Sequence, residues 1–233
     1  MDLTRPVALV ENDERTKTLP GQNLTPAEGT RVSGAQQAPT QPPSDVSRTA
    51  ELVEVLKAYE GKRLAIFIKG FPDPDSIASA IAHQFICRGL GVNADIYHFE
   101  DLSHHENRAL VKTLEIEMAK WDVNTEFDAY SGYCCVDTQS GDLPIPIPDH
   151  FKMVSLVDHH KASGSVVGEF IDVREDAGSA SAIYAEYLAE GAASTEERTK
   201  ELTLMATALM YGIRSDTDDF LIARPIDFKA SAY

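Results

Sequence analysis

Short apolar runs alternate with longer segments of mixed polarity along most of this chain. Five apolar runs have the length and residue types of buried strands, and they cover residues 64–68, 94–99, 133–136, 153–157 and 170–173. Helical spacing of apolar residues begins at Ser47 and continues to a stop at Gly61, and it recurs over residues 75–88, 105–114, 179–190 and 195–213. Strands that alternate with helices predict an α/β fold, with a mostly parallel β-sheet flanked by helices on both faces.

Residues 1–46 differ in composition from the rest of the chain. They are rich in Pro, Gly, Thr, Gln and Ser, and they contain turn-forming pairs such as Pro20-Gly21 and Pro42-Pro43. Such a composition has too few apolar residues to build a core. The sequence therefore predicts a disordered leader over residues 1–46 and a folded domain over residues 47–226.

Composition narrows the classes of function. The formal net charge of -16 argues against a partner such as long nucleic acid, which is bound through Lys and Arg. The three cysteines show no metal-binding or disulfide spacing, which is typical of a reducing compartment. The N-terminus has no signal-peptide pattern, and no apolar run is long enough to span a membrane. These features predict a cytoplasmic protein without membrane contact.

Acidic residues follow directly after several of the apolar elements. Asp73 and Asp75 come after the first strand, Asp137 after the third, and Asp158-His159-His160 after the fourth, and Asp216 follows the last apolar helix. The carboxyl ends of parallel strands meet at one edge of the sheet, where ligands collect. Carboxylates gathered there repel one another unless a cation neutralises them. Carboxylate oxygens with a single imidazole favour Mn²⁺ or Mg²⁺ over zinc.

Each acidic motif by itself has a simpler interpretation. Asp73-Pro-Asp75 is also a common turn sequence, and Asp137 could cap the end of a strand. Titratable groups in the pattern of Asp158-His159-His160 have little structural use at the end of a strand. The four motifs together, each after an apolar element, indicate a metal site rather than a set of exposed loops.

The motifs also resemble a known family. The resemblance rests on Lys69-Gly-Phe-Pro-Asp73-Pro-Asp75-Ser-Ile-Ala-Ser79, Val136-Asp137, Val157-Asp158-His159-His160 and Gly212-Ile-Arg-Ser-Asp216-Thr. These segments look like the four signature motifs of the DHH phosphoesterases, over about residues 60–225. That superfamily includes RecJ-type exonucleases, nanoRNase/pAp phosphatases, cyclic-dinucleotide phosphodiesterases, manganese pyrophosphatases and exopolyphosphatases.

The resemblance implies a catalytic domain with bound metal, usually two Mn²⁺ ions. The residues that match metal ligands are Asp73, Asp75, Asp137, His159 and Asp216. Asp137 would bridge the two ions, Asp73 would bind one of them, and the remaining three residues would bind the other. His160 would face the substrate phosphate, and Asp158 would orient a histidine. The implied reaction is metal-assisted hydrolysis, in which water attacks phosphorus while His160 and the cations neutralise charge on the phosphoryl oxygens.

Three further residues are candidates for contact with substrate. Arg214 would clamp phosphate through two parallel hydrogen bonds, with a surface salt bridge as the alternative. Ser79 would touch phosphate or metal-bound water, or it would only pack within its helix. Lys69 stands where family members usually have a histidine ligand, and a protonated lysine cannot bind metal. Lys69 would weaken the first metal site, take the place of a cation there, or contact the substrate. The expected number of bound ions is therefore one or two.

The end of the chain differs from the family pattern as well. Members continue into a smaller C-terminal substrate domain, whereas residues 227–233 resemble the first turns of a connecting helix. The expectation is therefore a catalytic domain without its C-terminal partner. Since some bacterial members share the lysine form of the first motif, a bacterial-type subtype is expected.

The leading hypothesis is an Mn-dependent phosphoesterase that hydrolyses phosphoester or phosphoanhydride bonds. Its substrate would be a nucleotide, a short oligonucleotide or a cyclic dinucleotide. The alternatives are a nucleotide-binding or regulatory protein that Lys69 has weakened catalytically, and an inactive truncated fragment. A homodimer remains open at this point.

Overall fold

A computed structural model describes residues 46–122, 124, 127–138, 142–161, 166–195 and 199–233. The predicted leader, apart from Val46, lies outside these residues. The described strands are β1 (Arg63–Ile68), β2 (Asn93–His98), β3 (Met118–Lys120), β4 (Gly132–Val136), β5 (Met153–Asp158) and β6 (Phe170–Val173). The described α-helices are α1 (Arg48–Lys57), α2 (Pro74–Gly89), α3 (His105–Thr113), α4 (Ala180–Ala189), α5 (Lys200–Asp216) and α6 (Pro225–Ala232).

The strands form one sheet in the order β3-β2-β1-β4-β5-β6, and all neighbouring strands are parallel. The predicted α/β class with a parallel sheet is thus confirmed. In the centre of the sheet, Ile68 is paired with Val136, and Val136 is paired with Val157. The residues that follow these three strands therefore lie next to one another at the carboxyl edge. This register brings the first, second and third acidic motifs together.

Both faces of the sheet are covered, but among the described residues the α-helices lie on one face, where helices were expected on both. On one face, apolar residues of β1, β4 and β5 pack against α1 to α5 in the larger of two core clusters. On the other face, Phe67 lies at the centre of an aromatic cluster with Trp121, Tyr133 and Phe151. The covering residues of this second face come from segments outside the α-helices, including a 3-10 turn over Phe127–Ala129.

Helix α5 packs closely against α2 and α4, because residue 212 is a glycine. A Cβ atom at Gly212 would lie 2.3 Å from the Ser181 Oγ and 3.1 Å from the Asp75 Cα. Any larger residue would push α5 away from both neighbouring helices. The close approach carries the C-terminal end of α5, and with it Asp216, to the edge of the sheet where the other motifs lie.

Some elements differ from the sequence prediction. Strand β3 was not predicted, because it is a three-residue edge strand whose residues are half-buried or exposed. The predicted helix over residues 195–213 begins later, at Lys200, since the Thr199 side chain accepts the Leu202 N–H as an N-cap. Helix α6 begins at Pro225, two residues before the predicted start. Within the described part of the chain, no helix is both long and apolar enough to cross a bilayer.

Candidate metal centre

Three carboxylates from distant parts of the chain surround one imidazole nitrogen. The Nε2 atom of His159 lies 3.2 Å from Asp216 Oδ2, 3.4 Å from Asp137 Oδ1 and 3.7 Å from Asp75 Oδ2. The four residues come from the end of α5, from the loops after β4 and β5, and from the start of α2. The fold therefore brings together a residue from each of the four acidic motifs.

Asp75 is fully buried and is held by the start of another helix. Its two carboxylate oxygens accept hydrogen bonds from the backbone N–H groups of Ala180, at 2.7 Å, and Ser181, at 2.8 Å. These N–H groups belong to the first turn of α4, where unpaired donors favour an anion. Burial, together with the neighbouring carboxylates of Asp137 and Asp216, nevertheless raises the pKa of Asp75 well above its usual value. A cation at this position would relieve both effects.

Asp137 has an unusual backbone conformation for a residue other than glycine. Its φ angle is +51°, in the left-handed region, and its N–H donates to the carbonyl oxygen of Val157 at 2.8 Å. Such conformations cost free energy and concentrate at functional sites. Here the turn directs the side chain away from the strand and towards His159. Burial raises the pKa of Asp137 to about 6, and the nearby Asp73 carboxylate contributes to the rise.

Asp158 and His160 form a second pair beside this group. Asp158 is fully buried, and its Oδ1 lies 2.8 Å from the His160 Nδ1. The hydrogen bond to Asp158 raises the pKa of His160. His160 is half-exposed, and its Nδ1 is also 3.6 Å from Asp137 Oδ1. The buried carboxylate thus orients an imidazole that solvent or a substrate can reach.

Two polar atoms at the centre of the group lie close to other polar atoms but form no hydrogen bond. Among the described residues, Asp137 Oδ1 and His159 Nε2 are buried without a partner in hydrogen-bond geometry. Buried polar atoms of this kind are rare and call for an explanation. Three oxygens around one imidazole nitrogen form a ligand set suited to a divalent cation. Asp75, His159 and Asp216 can direct one ligand atom each to a common point, and so can Asp137, His159 and His160.

Burial of His159 opposes its protonated form, but the carboxylates of Asp137 and Asp216 outweigh that effect. They raise the pKa of His159 to about 11. In the metal-free protein the imidazolium therefore provides the positive charge that the carboxylates need. A bound metal ion would replace the proton on His159, because a histidine ligand must be neutral.

Asp73 has a different position from the other acidic residues. It is the N-cap of α2, and its Oδ1 accepts the Ser76 N–H at 2.9 Å. It is close enough to affect the pKa of Asp137, but it belongs to neither of the two groups of three described side chains that could hold a metal ion. Lys69, where a histidine was expected, is half-buried in the loop that leads to Asp73. The structure thus brings four predicted ligands together and leaves Asp73 beside them.

The remaining candidates, Arg214 and Ser79, form no hydrogen bond or ion pair with this group among the described residues. Arg214 is exposed and forms an ion pair with Asp219, with its Nε 2.9 Å from Oδ1. Ser79 is fully buried on α2, one helical turn after Asp75, and its Oγ has no hydrogen-bond partner among the described residues. Arg214 thus makes an ion pair, which was the alternative considered for it, and contact of Arg214 or Ser79 with a substrate stays a prediction.

Sequence reasoning missed the residues that support the ligands. The N–H donors of Ala180 and Ser181 carry no side-chain signal, and Asn107 lies in the first turn of α3, outside the four acidic motifs. Asn107 is buried, and its Nδ2 donates to the carbonyl oxygen of Pro72 at 2.7 Å. Gly212 gave a usable signal, since a glycine inside an apolar helix often marks close packing.

Comparison with solved structures shows shared folds. A Methanococcus jannaschii protein assigned provisionally to the family II inorganic pyrophosphatases matches with a TM-score of 0.56 and 20% identity, over 73% of this chain and 54% of that chain. An exopolyphosphatase-related protein from Bacteroides fragilis matches with a TM-score of 0.56 and 12% identity, over 79% of this chain and 55% of that one. The chain therefore shares the fold of these two proteins over about three quarters of its length.

Sequence comparison adds a relative of greater identity. An uncharacterized protein of Methanocaldococcus jannaschii is 35% identical over 164 residues, which are 70% of this chain and 32% of that protein. No protein-family model matches the chain. The chain thus spans about a third of its curated relative and about half of each solved structure.

Proposed function

We propose that this chain carries a divalent-metal-dependent hydrolase of phosphoester or phosphoanhydride bonds. The observation that carries the proposal is the convergence of Asp75, Asp137 and Asp216 on the Nε2 atom of His159. The shared fold with a pyrophosphatase-like and an exopolyphosphatase-related protein supports the same class of reaction. Hydrolysis of these bonds takes place at a negatively charged phosphoryl group, and it depends chiefly on positioning and on neutralisation of charge.

Asp75, Asp137, His159 and Asp216 would hold the cation, and we propose Mn²⁺, with Mg²⁺ as the alternative. Oxygen ligands with a single imidazole suit these two ions. When bound, the ion would supply a Lewis acid for the phosphoryl oxygens and would make water a better nucleophile. The strained backbone at Asp137 and the helix N-terminus at Asp75 fix two of the ligands before any ion binds.

His160 would act on the substrate rather than on the cation. Asp158 contacts the Nδ1 of His160, so the Nε2 is the ring nitrogen left to meet a phosphoryl oxygen. Since the hydrogen bond to Asp158 raises the pKa of His160, the imidazolium form persists to a higher pH than usual. A protonated His160 would donate a hydrogen bond to the oxygen on which negative charge accumulates.

The proposed substrates are small phosphorylated molecules: nucleotides, short oligonucleotides or cyclic dinucleotides. A net charge of -16 repels extended nucleic acid, whereas a small substrate interacts mainly with the charged groups of the site itself. Arg214 would become available to phosphate only if its ion pair with Asp219 opened.

A second candidate function is nucleotide binding without efficient turnover. Two observations favour it: Lys69 cannot bind a metal ion in its protonated form, and the Asp73 carboxylate already caps α2. A centre with one ion instead of two would hold phosphate but would stabilise the transition state less. The two functions differ in turnover and share the binding site.

The experiment that separates them is a hydrolysis assay on a panel of substrates, with pyrophosphate, pAp, a short oligonucleotide and a cyclic dinucleotide. Release of phosphate or nucleotide in the presence of Mn²⁺, lost in Asp137→Asn, supports the hydrolase. Asp149→Asn is the matched control, because Asp149 is exposed and precedes β5, at the opposite edge of the sheet. Binding of these compounds with no turnover at any concentration of Mn²⁺ or Mg²⁺ would instead support the second function.

A further inference from the structure

A buried asparagine on α3 reaches the loop that carries the first acidic motif. The side chain of Asn107 is 4% exposed, and its Nδ2 donates to the carbonyl oxygen of Pro72 at 2.7 Å. Pro72 is also buried and directly precedes Asp73. The contact therefore joins α3 to the five-residue connection between β1 and α2, a segment separated from Asn107 by 35 positions in the sequence.

The peptide unit between Pro72 and Asp73 is held from both sides. Its carbonyl oxygen accepts the Asn107 hydrogen bond, and its N–H, which belongs to Asp73, donates to the Ser76 Oγ at 3.0 Å. A peptide unit is planar, so two hydrogen bonds at its opposite ends fix its orientation. This orientation sets where α2 begins, with Asp73 as its N-cap and Asp75 in its first turn.

Asn107 is a polar residue at a buried position, where an apolar side chain would need no hydrogen-bond partner. Helix α3 buries Asn107 and Leu110, which lie on one face of the helix. A buried amide costs free energy unless it is hydrogen-bonded. Asn107 does not cap its own helix, because the N-cap of α3 is His104. Its hydrogen bond is directed across to the loop of the acidic motif.

We propose that Asn107 is a positioning residue of the metal centre, acting through the Pro72–Asp73 peptide unit on Asp73 and Asp75. This inference rests on the proposed function, since it assumes that Asp75 is a ligand. Asn107 is not one of the proposed ligands of the ion. Its hydrogen bond holds the start of α2 so that the Asp75 carboxylate faces Asp137, His159 and Asp216. Residues that orient ligands in this way typically change metal affinity by about 10- to 100-fold when they are replaced.

The test is the dissociation constant for Mn²⁺, measured by isothermal titration calorimetry on the full chain. Asn107→Asp keeps the shape of the side chain, removes the donor and adds a negative charge near the site. Attraction alone would make this variant bind Mn²⁺ more tightly, whereas loss of positioning makes it bind about 10- to 100-fold more weakly. Asn107→Leu removes the donor without adding charge, and weaker binding is expected there too.

The matched control is Arg108→Gln, which lowers the net charge by the same amount as Asn107→Asp. Arg108 is the next residue of α3, and its guanidinium donates to the carbonyl oxygens of Leu102 and Ser103. This variant should bind Mn²⁺ at least as tightly as the wild type. If Asn107→Asp does not fold, Asn107→Leu gives the answer, and circular dichroism of the metal-free proteins shows which variants are folded.

The outcomes separate the inference from the function on which it rests. Wild-type affinity in Asn107→Leu, or tighter binding in Asn107→Asp, would overturn the role of Asn107 and leave the metal centre intact. Wild-type protein that binds no Mn²⁺ would overturn the proposed function, and the inference with it. Weaker binding in both Asn107 variants, with no weakening in Arg108→Gln, supports the inference.

Discussion

The Nε2 atom of His159 lies 3.2 Å from the Oδ2 of Asp216, and this pair shows what happens to the site without metal. A carboxylate at that distance favours the protonated imidazole. Burial of His159 works in the opposite direction, but the carboxylates of Asp137 and Asp216 prevail and raise its pKa to about 11. A proton on His159 therefore takes the place of the cation until one binds.

The first prediction is that Mn²⁺ binding releases a proton. At neutral pH His159 is protonated in the metal-free protein, since its pKa of about 11 lies well above that pH. Because a histidine ligand must be neutral, about one proton should leave His159 for each ion bound. Calorimetry in two buffers of different ionisation enthalpy measures this number. Affinity should also rise with pH, about tenfold per pH unit when one proton is released. Binding heats that are the same in both buffers would show that His159 is not a ligand.

The second prediction concerns the stability of the metal-free protein. The pKa of Asp137 is about 6 in the folded state and about 3.9 in an unfolded chain. A raised pKa means that the protonated form stabilises the fold. This contribution is fully present below about pH 4 and is lost as the pH rises to about 6. Asp137→Asn resembles the protonated form, so its advantage in the free energy of unfolding over the wild type should appear between pH 4 and 6. Urea denaturation across that range measures the difference, and a pH-independent difference would contradict the account.

The third prediction separates two ligands by their structural roles. Asp75 accepts two backbone hydrogen bonds from α4, and an amide side chain has only one oxygen to accept them. Asp75→Asn should therefore lower the free energy of unfolding of the metal-free protein by about 1–3 kcal/mol. Asp216→Asn should change it by less than about 1 kcal/mol. Both variants should lose Mn²⁺ affinity. Equal loss of stability in the two variants would mean that α4 does not depend on Asp75.

The fourth prediction concerns the number of ions. The wild-type chain should retain one Mn²⁺, because Lys69 supplies no ligand and Asp73 caps α2. Lys69→His should retain two, since it would restore the histidine that the family pattern places in the first motif. Elemental analysis after dialysis gives the ratio of metal to protein. If Lys69→His gains no ion, position 69 is not a lost ligand and the comparison of this motif with the family pattern is wrong.

Much of the candidate site could be predicted from the sequence, because a local pattern of residues marks where a strand ends. An apolar run is followed directly by an acidic residue at Val136-Asp137 and at Val157-Asp158. Parallel pairing of the strands places such acidic residues at one edge of the sheet. The resemblance to the DHH phosphoesterases implied which histidine of the pair lies among the carboxylates. The α/β class followed from the alternation of apolar runs and helical segments.

Other features depend on contacts that no local pattern encodes. The donors to Asp75 lie 105 and 106 residues away on α4. The burial of Asn107 depends on how α3 packs against the loop at Pro72. Strand β3 consists of three half-buried or exposed residues, so its sequence lacks the apolar run by which the other strands were found. Whether an aspartate such as Asp73 caps a helix or binds metal is decided by its neighbours in space.

The central claim is that Asp75, Asp137, His159 and Asp216 bind one divalent cation. Anomalous scattering from a crystal of the wild-type chain soaked in Mn²⁺ tests it most directly. The account predicts a peak among these four side chains, within about 2.0–2.3 Å of their nearest ligand atoms. No peak at this position, or a peak bound by other residues, would contradict the claim.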